Sequence, residues 1–265
     1  MANPAFRNSA AFAGGAQLAR QTATPTLSAE QLDELYGRPS ATPVETDRMT
    51  YEDTIVKTVM AFGVLIVGAV IGWMIPVLTI PAAIAGFVLA LVNIFRKKPS
   101  RGLILGYAAV EGVFVGGISY MFGTLYEGIV PQAVFGTLGV VAVTLILFLN
   151  GKVRSSPKMT KIFLVAMVGY AAFSLVNFGL MMFGVTEGMF GLRSIEFLGL
   201  PLGAWLGVLV VLLAAYSLVM DFEFVKAGVE NGAPRIFGWQ AAFGIMVTVV
   251  WLYTEILRLI AIFRE

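Results

Sequence analysis

Seven apolar stretches, each long enough to cross a lipid bilayer as a helix, constrain this chain more than any other feature. A spanning helix needs roughly 17–25 mostly apolar residues. Such stretches lie at 54–76, 79–95, 102–123, 130–150, 160–184, 199–222 and 236–262. Hydrocarbon offers no hydrogen-bond partner, so each must satisfy its own backbone, which an α-helix does. The expected fold class is therefore all-α: a polytopic membrane protein with a seven-transmembrane-helix bundle at 54–265, after a polar tail at 1–53. The second stretch is the shortest and joins the first through Pro76 to Pro81, so six spans plus a re-entrant piece is the alternative. Composition agrees: 58% of the 265 residues are hydrophobic and 13% charged, against about 45–50% and about 25% in soluble domains.

The residue types present narrow the chemistry. There is no cysteine and no histidine, which removes disulfides, thiolate chemistry, the usual zinc ligands and the usual switch near neutral pH. Proton chemistry must run on carboxylates. A net charge of +2 is too small to argue for nucleic acid. No Walker A, HExxH, GxSxG or strand-associated GxGxxG pattern occurs, so the expectation is no enzyme, no catalytic residue, no bound metal and no cofactor.

The first apolar stretch starts after residue 50, which is not the pattern of a cleavable signal peptide. Within the tail, Leu27-Ser28-Ala29-Glu30-Gln31-Leu32 reads as a helix start, with Ser28 as N-cap and Gln31 closing a capping box. Gly37 and Pro39 end that short amphipathic helix. Lys and Arg cluster in alternate connections: Arg96, Lys97, Lys98 and Arg101; Lys152, Arg154, Lys158 and Lys161; Lys226 and Arg235. The intervening connections carry only Arg193. The positive-inside rule puts the tail and the basic connections in the cytoplasm and Glu265 on the far side. Gly112-x-x-x-Gly116 and Gly203-x-x-x-Gly207 match the spacing that lets helix backbones approach, and close packing suffices to explain them.

An ionisable side chain in hydrocarbon costs about 2.5–3.5 kcal/mol on insertion scales, so each asks for a reason. Glu111 lies deep in the third span, where it must face a cavity, pair with a cation or hold its proton. Asp221 ends the sixth span. Glu255 and Arg258 lie in the C-terminal half of the seventh, three apart and so able to pair on one helix face. Asn177 is deep in the fifth span and is explained by interhelical hydrogen bonding. Trp73, Trp239, Trp251 and Tyr253 suit interfacial belts or packing.

Three of these stretches carry a resemblance. GYAAVEGVFVGGIS around Glu111 resembles the glycine-punctuated third helix of the Bax inhibitor family of seven-helix membrane proteins. YSLVMDFEF resembles that family's Tyr/Asp-ended sixth helix, and WLYTEILRLIAIF its closing helix, where an acid follows a Leu-Tyr pair. The resemblance spans about residues 50–263, and the long tail looks like the bacterial branch. It implies a pH-sensitive calcium leak channel in the plasma membrane, with carboxylates on the sixth and seventh helices as sensor and gate. By position these are Asp221 and Glu255. Eukaryotic members are linked to suppression of cell death and bacterial ones also to membrane-protease regulation. Two features depart from the pattern: Glu255 stands where Asp is usual, and the two acids lie 34 positions apart. At about 1.5 Å per residue, that spacing makes a direct contact geometrically poor.

The leading expectation is a passive, proton-modulated Ca²⁺ pathway lined by Glu111, Asp221 and Glu255, with Arg258 as the pairing cation. Its partners are then lipid, Ca²⁺ and protons. The alternative is a non-conducting scaffold whose tail or loops bind a partner such as a membrane protease.

Overall fold

The computed structural model describes residues 47–186 and 188–264. The short tail helix expected from Ser28 to Gly37 and the placement of Glu265 lie outside these residues. Seven helices long and apolar enough to cross a membrane are present among them. In chain order they are α1 (Tyr51–Met74), α2 (Thr79–Phe95), α3 (Arg101–Leu125), α4 (Ile129–Leu149), α5 (Pro157–Met182), α6 (Leu202–Glu230) and α7 (Phe237–Ile262). A 3₁₀ turn at Pro76–Leu78 leads directly into α2. Together they form one apolar run, so the second stretch is counted as a full span. The chain is a multi-pass integral membrane protein.

Local sequence sets the helix ends. The Thr50 hydroxyl accepts from the Asp53 N–H at 3.1 Å, with Glu52 and Asp53 in the first turn of α1 where the helix dipole favours acids. Ser156 caps α5 and Pro157 opens it, since proline at the first helical position loses no hydrogen bond. Between α5 and α6, strands β1 (Glu196–Phe197) and β2 (Leu200–Pro201) form a small hairpin. Its turn residues Leu198 and Gly199 both have positive φ, 54° and 79°, as a tight hairpin turn with right-handed strand twist demands.

Glycines decide the tightest contact. A Cβ on Gly112 would strike the Leu65 carbonyl of α1, and one on Gly116 would strike that of Ala69. Reciprocally, Gly68 and Gly72 lie against the carbonyls of Ala109 and Val113. Helices α1 and α3 therefore pack backbone to backbone, as small-residue spacing permits. Gly203 and Gly207 of α6 instead receive the side chains of Ile262 and Leu259 from α7.

The core is built around α7. Met246, Leu252 and Leu257 have no accessible surface, and residues of α1, α3, α4 and α6 join them in one apolar cluster. In contrast, α5 buries only Phe163 and Asn177. Its apolar side chains face outward, where lipid replaces protein as the packing partner.

Candidate functional site

Four contacts set the register of antiparallel α6 and α7. Gly203 meets Ile262 and Gly207 meets Leu259, the Ser217 hydroxyl is 3.2 Å from that of Thr248, and Asp221 faces Gly244. The Thr248 hydroxyl donates to Asp221 Oδ2 at 2.6 Å. Gly244 leaves room for this carboxylate, since a Cβ there would lie 3.0 Å from Oδ1. Asp221 thus sits inside the α6–α7 seam, about two and a half turns before the end of its helix at Glu230.

Glu255 lies eleven residues beyond Gly244 on α7, about 16 Å along the axis. It is 3% exposed and belongs to a different cluster. The Tyr170 hydroxyl of α5 donates to Oε1, and Arg258 Nη1 donates to the same oxygen at 2.7 Å. Arg193 Nη1 is 3.9 Å from Oε2, an oxygen without a hydrogen-bond partner among the described residues. The phenol oxygen of Tyr170 also accepts from Arg193 at 3.0 Å and Arg258 at 3.1 Å. Two guanidiniums therefore converge on one tyrosine while that tyrosine donates to the acid they surround.

Arg193 is positioned by a 3₁₀ turn at Gly191–Ser194. Asn177 of α5 holds this turn, donating to the Phe190 carbonyl at 3.2 Å and accepting from the Leu192 N–H at 2.7 Å. Gly191 has φ 57°, and a Cβ there would collide with Asn177. Between α5 and α7 an open cleft of about 430 Å³ is lined by Tyr170, Ser174, Arg193, Trp251, Glu255 and Arg258.

Glu111 is elsewhere. On α3 it is half-buried and faces Gly86 of α2, with Tyr107 one turn earlier as its polar neighbour. Tyr107 packs edge-on against Phe243 of α7, centroids 5.1 Å apart, and Ser119 lies 2.6 Å from the Tyr253 hydroxyl. These two contacts fix α3 parallel to α7 and put Glu111 near the depth of Asp221, on the other flank of α7. The three acids thus occupy three seams: α2–α3, α6–α7 and α5–α7.

The family model described as Bax inhibitor 1 like matches residues 3–265. The chain belongs to the Bax inhibitor 1-like family. A search of curated proteins found no match. Family members are in general non-enzymatic membrane proteins.

In this Bax inhibitor 1-like chain the Glu255–Arg258 pair is formed as the three-residue spacing allows. Sequence reasoning missed Arg193, Tyr170 and Ser174. The available signal for Arg193 was its isolation as the single basic residue of an otherwise neutral connection; a deep tyrosine and serine among apolar neighbours gave none. Asn177 does hydrogen-bond away from its own helix, but to the backbone of the following turn rather than to another span. Trp239 and Tyr253 are packing residues, 5% and 8% exposed, whereas Trp73 is 43% exposed and packs edge-on against Tyr120 of α3, ring centroids 5.7 Å apart.

Proposed function

We propose that this protein is a passive cation pathway, Ca²⁺ foremost, that runs along α7 and is modulated by protonation of its buried carboxylates. One observation carries the reading: Asp221 and Glu255 mark two depths of one face of α7, with the fully buried Ala214 and Leu218 of α6 between those depths. Gly244, Thr248, Trp251 and Glu255 recur at helical spacing on that face. Acid oxygens at either end of a short apolar constriction suit a hard cation that must enter, shed water and leave.

In this state Arg193 and Arg258 neutralise Glu255, so the outer cluster repels cations and the path is shut. A proton on Glu255 removes the charge that attracts Arg258 and weakens the hydrogen bond it accepts from Tyr170. The α5–α7 cleft then loses its central tie, and Arg258, with about a third of its side chain exposed, is free to swing aside. Asp221 supplies the acid oxygen of the opposite half. Glu111, beside α2, is a further proton-sensitive acid at the depth of Asp221. The basic connections support a cytoplasmic start for α1, and the tail supports a bacterial plasma membrane as its setting.

The test is calcium-dye flux in liposomes across a pH series. Flux that changes with pH and is lost in Asp221→Asn or reset in Glu255→Gln supports the pathway. No flux at any pH, or flux indifferent to both substitutions, removes it.

A second reading, a partner-regulating scaffold, has one observation in its favour. The chain just before α1 is strapped to the α6–α7 connection: the Met49 N–H donates to the Ala233 carbonyl at 2.7 Å and the Arg235 N–H to that of Asp47 at 2.8 Å. A partner gripping the tail would act directly on the start of α7. Deleting residues 1–42 separates the two readings, because a leak survives the deletion and partner regulation does not.

A further inference from the structure

We infer that a cleft at the opposite end of the bundle from Glu255, where α1, α3 and α7 begin, binds the phosphate of an anionic phospholipid. The cleft holds about 400 Å³ and belongs to none of the carboxylate clusters above. Its walls are of two kinds. Lys57, Arg101 and Arg235 line it with Asp53 and Asp47, so cations outnumber acids. Val56 and Met60 line it too, and these are 56% and 38% exposed on the outward face of α1. A charged recess thus opens without interruption onto an apolar helix face that lipid covers.

The cations are held in place rather than loose. Asp53 pairs with Lys57 and accepts from Arg235 Nε at 2.9 Å. Lys57 also donates to the Arg235 carbonyl at 2.6 Å, which uses two of its three N–H directions while the residue stays 6% exposed. Trp239, 5% exposed, forms the floor, with Arg101 stacked 5.5 Å and the Lys57 ammonium 5.9 Å from its ring centroid. Such stacking orients a guanidinium and leaves its in-plane donors for a phosphate. At the start of α3, Ser100 makes no side-chain cap, and the space beside Gly102 is open. The positive ends of three helices add to the same field.

A free phosphate would need only the charged half of this recess. A phospholipid uses both, its headgroup among the cations and its acyl chains along Val56 and Met60, and basic pockets between spanning helices have this character. Occupancy would tie the starts of α1, α3 and α7 together.

The experiment is calorimetric titration of the full chain in a neutral detergent with dioctanoyl phosphatidylglycerol, dioctanoyl phosphatidylcholine and inorganic phosphate. Saturable binding of the phosphatidylglycerol alone, weakened about fivefold or more by Arg101→Gln and unchanged by Lys152→Gln in the α4–α5 connection, is the expected result. Equal binding of phosphatidylcholine, equal binding of inorganic phosphate, equal losses in the two variants or no saturable binding at all would each overturn it.

Discussion

Asp221 and Glu255 share one face of α7 without touching: Asp221 faces Gly244, and Glu255 stands eleven residues further along. Each has its own polar partners, a single threonine for one and a tyrosine with two arginines for the other. Protonation of one therefore does not relieve like-charge repulsion with the other. The two acids should act as separable elements, and the consequences can be measured one at a time.

The Asp221–Thr248 hydrogen bond is the direct polar link from Asp221 to α7. Removing its donor with Thr248→Val should cost about 1–3 kcal/mol, as for a buried acceptor left unpaired to a charged group. In a double-mutant cycle with Asp221→Asn the two changes should be non-additive by 0.5 kcal/mol or more. Thermal unfolding of the four proteins in detergent measures this, and strict additivity would show the contact to be energetically empty.

Tyr170 makes three hydrogen bonds at one oxygen, two tying α5 to α7 and one to Arg193 of the Gly191–Ser194 turn. Tyr170→Phe keeps the ring and deletes all three, so we expect a loss of about 2 kcal/mol and a melting temperature lower by roughly 4–8 °C. Because α5 has few other buried contacts, limited proteolysis should show increased cleavage at the connections flanking α5 and not at those flanking α3.

Glu255 is surrounded by cations, and its removal strands them. Glu255→Ala leaves Arg193, 5% exposed, without a carboxylate, a change of the kind that costs about 3–5 kcal/mol. Arg258→Gln should cost less, since the Arg258 side chain is 32% exposed and Arg193 remains beside the acid. Folded yield after extraction should fall in the order wild type, Arg258→Gln, Glu255→Ala. The reverse order would mean that the acid, not the arginines, is the group under electrostatic strain.

The α1–α3 contact makes a sharp contrast between glycines. Gly116→Ala forces a methyl into the Ala69 carbonyl, and the two helix backbones must separate. Gly63→Ala meets nothing within 4 Å and should be neutral or stabilising by about 0.5–1 kcal/mol, as the unfolded chain loses freedom. Melting temperatures of the two single variants check the pair.

What the sequence determined by itself is whatever is local to one helix. A span closes its own hydrogen bonds and is rewarded for being apolar, so the number and approximate limits of the seven helices are written in composition along the chain. Glu255 and Arg258 lie three apart and pair whatever surrounds them. Which face of each helix is buried was left to tertiary structure, because lipid and protein core are both apolar and an amphipathic period has nothing to distinguish. Val210 and Leu212 are equally hydrophobic neighbours on α6, yet one is fully buried and the other 64% exposed. The convergence of Tyr170 and Arg193 on Glu255, and of Arg101 and Lys57 on Trp239, joins residues far apart in the chain. Only the packing of the helices, fixed by glycine-lined backbone contacts and side-chain shape, brings those groups together.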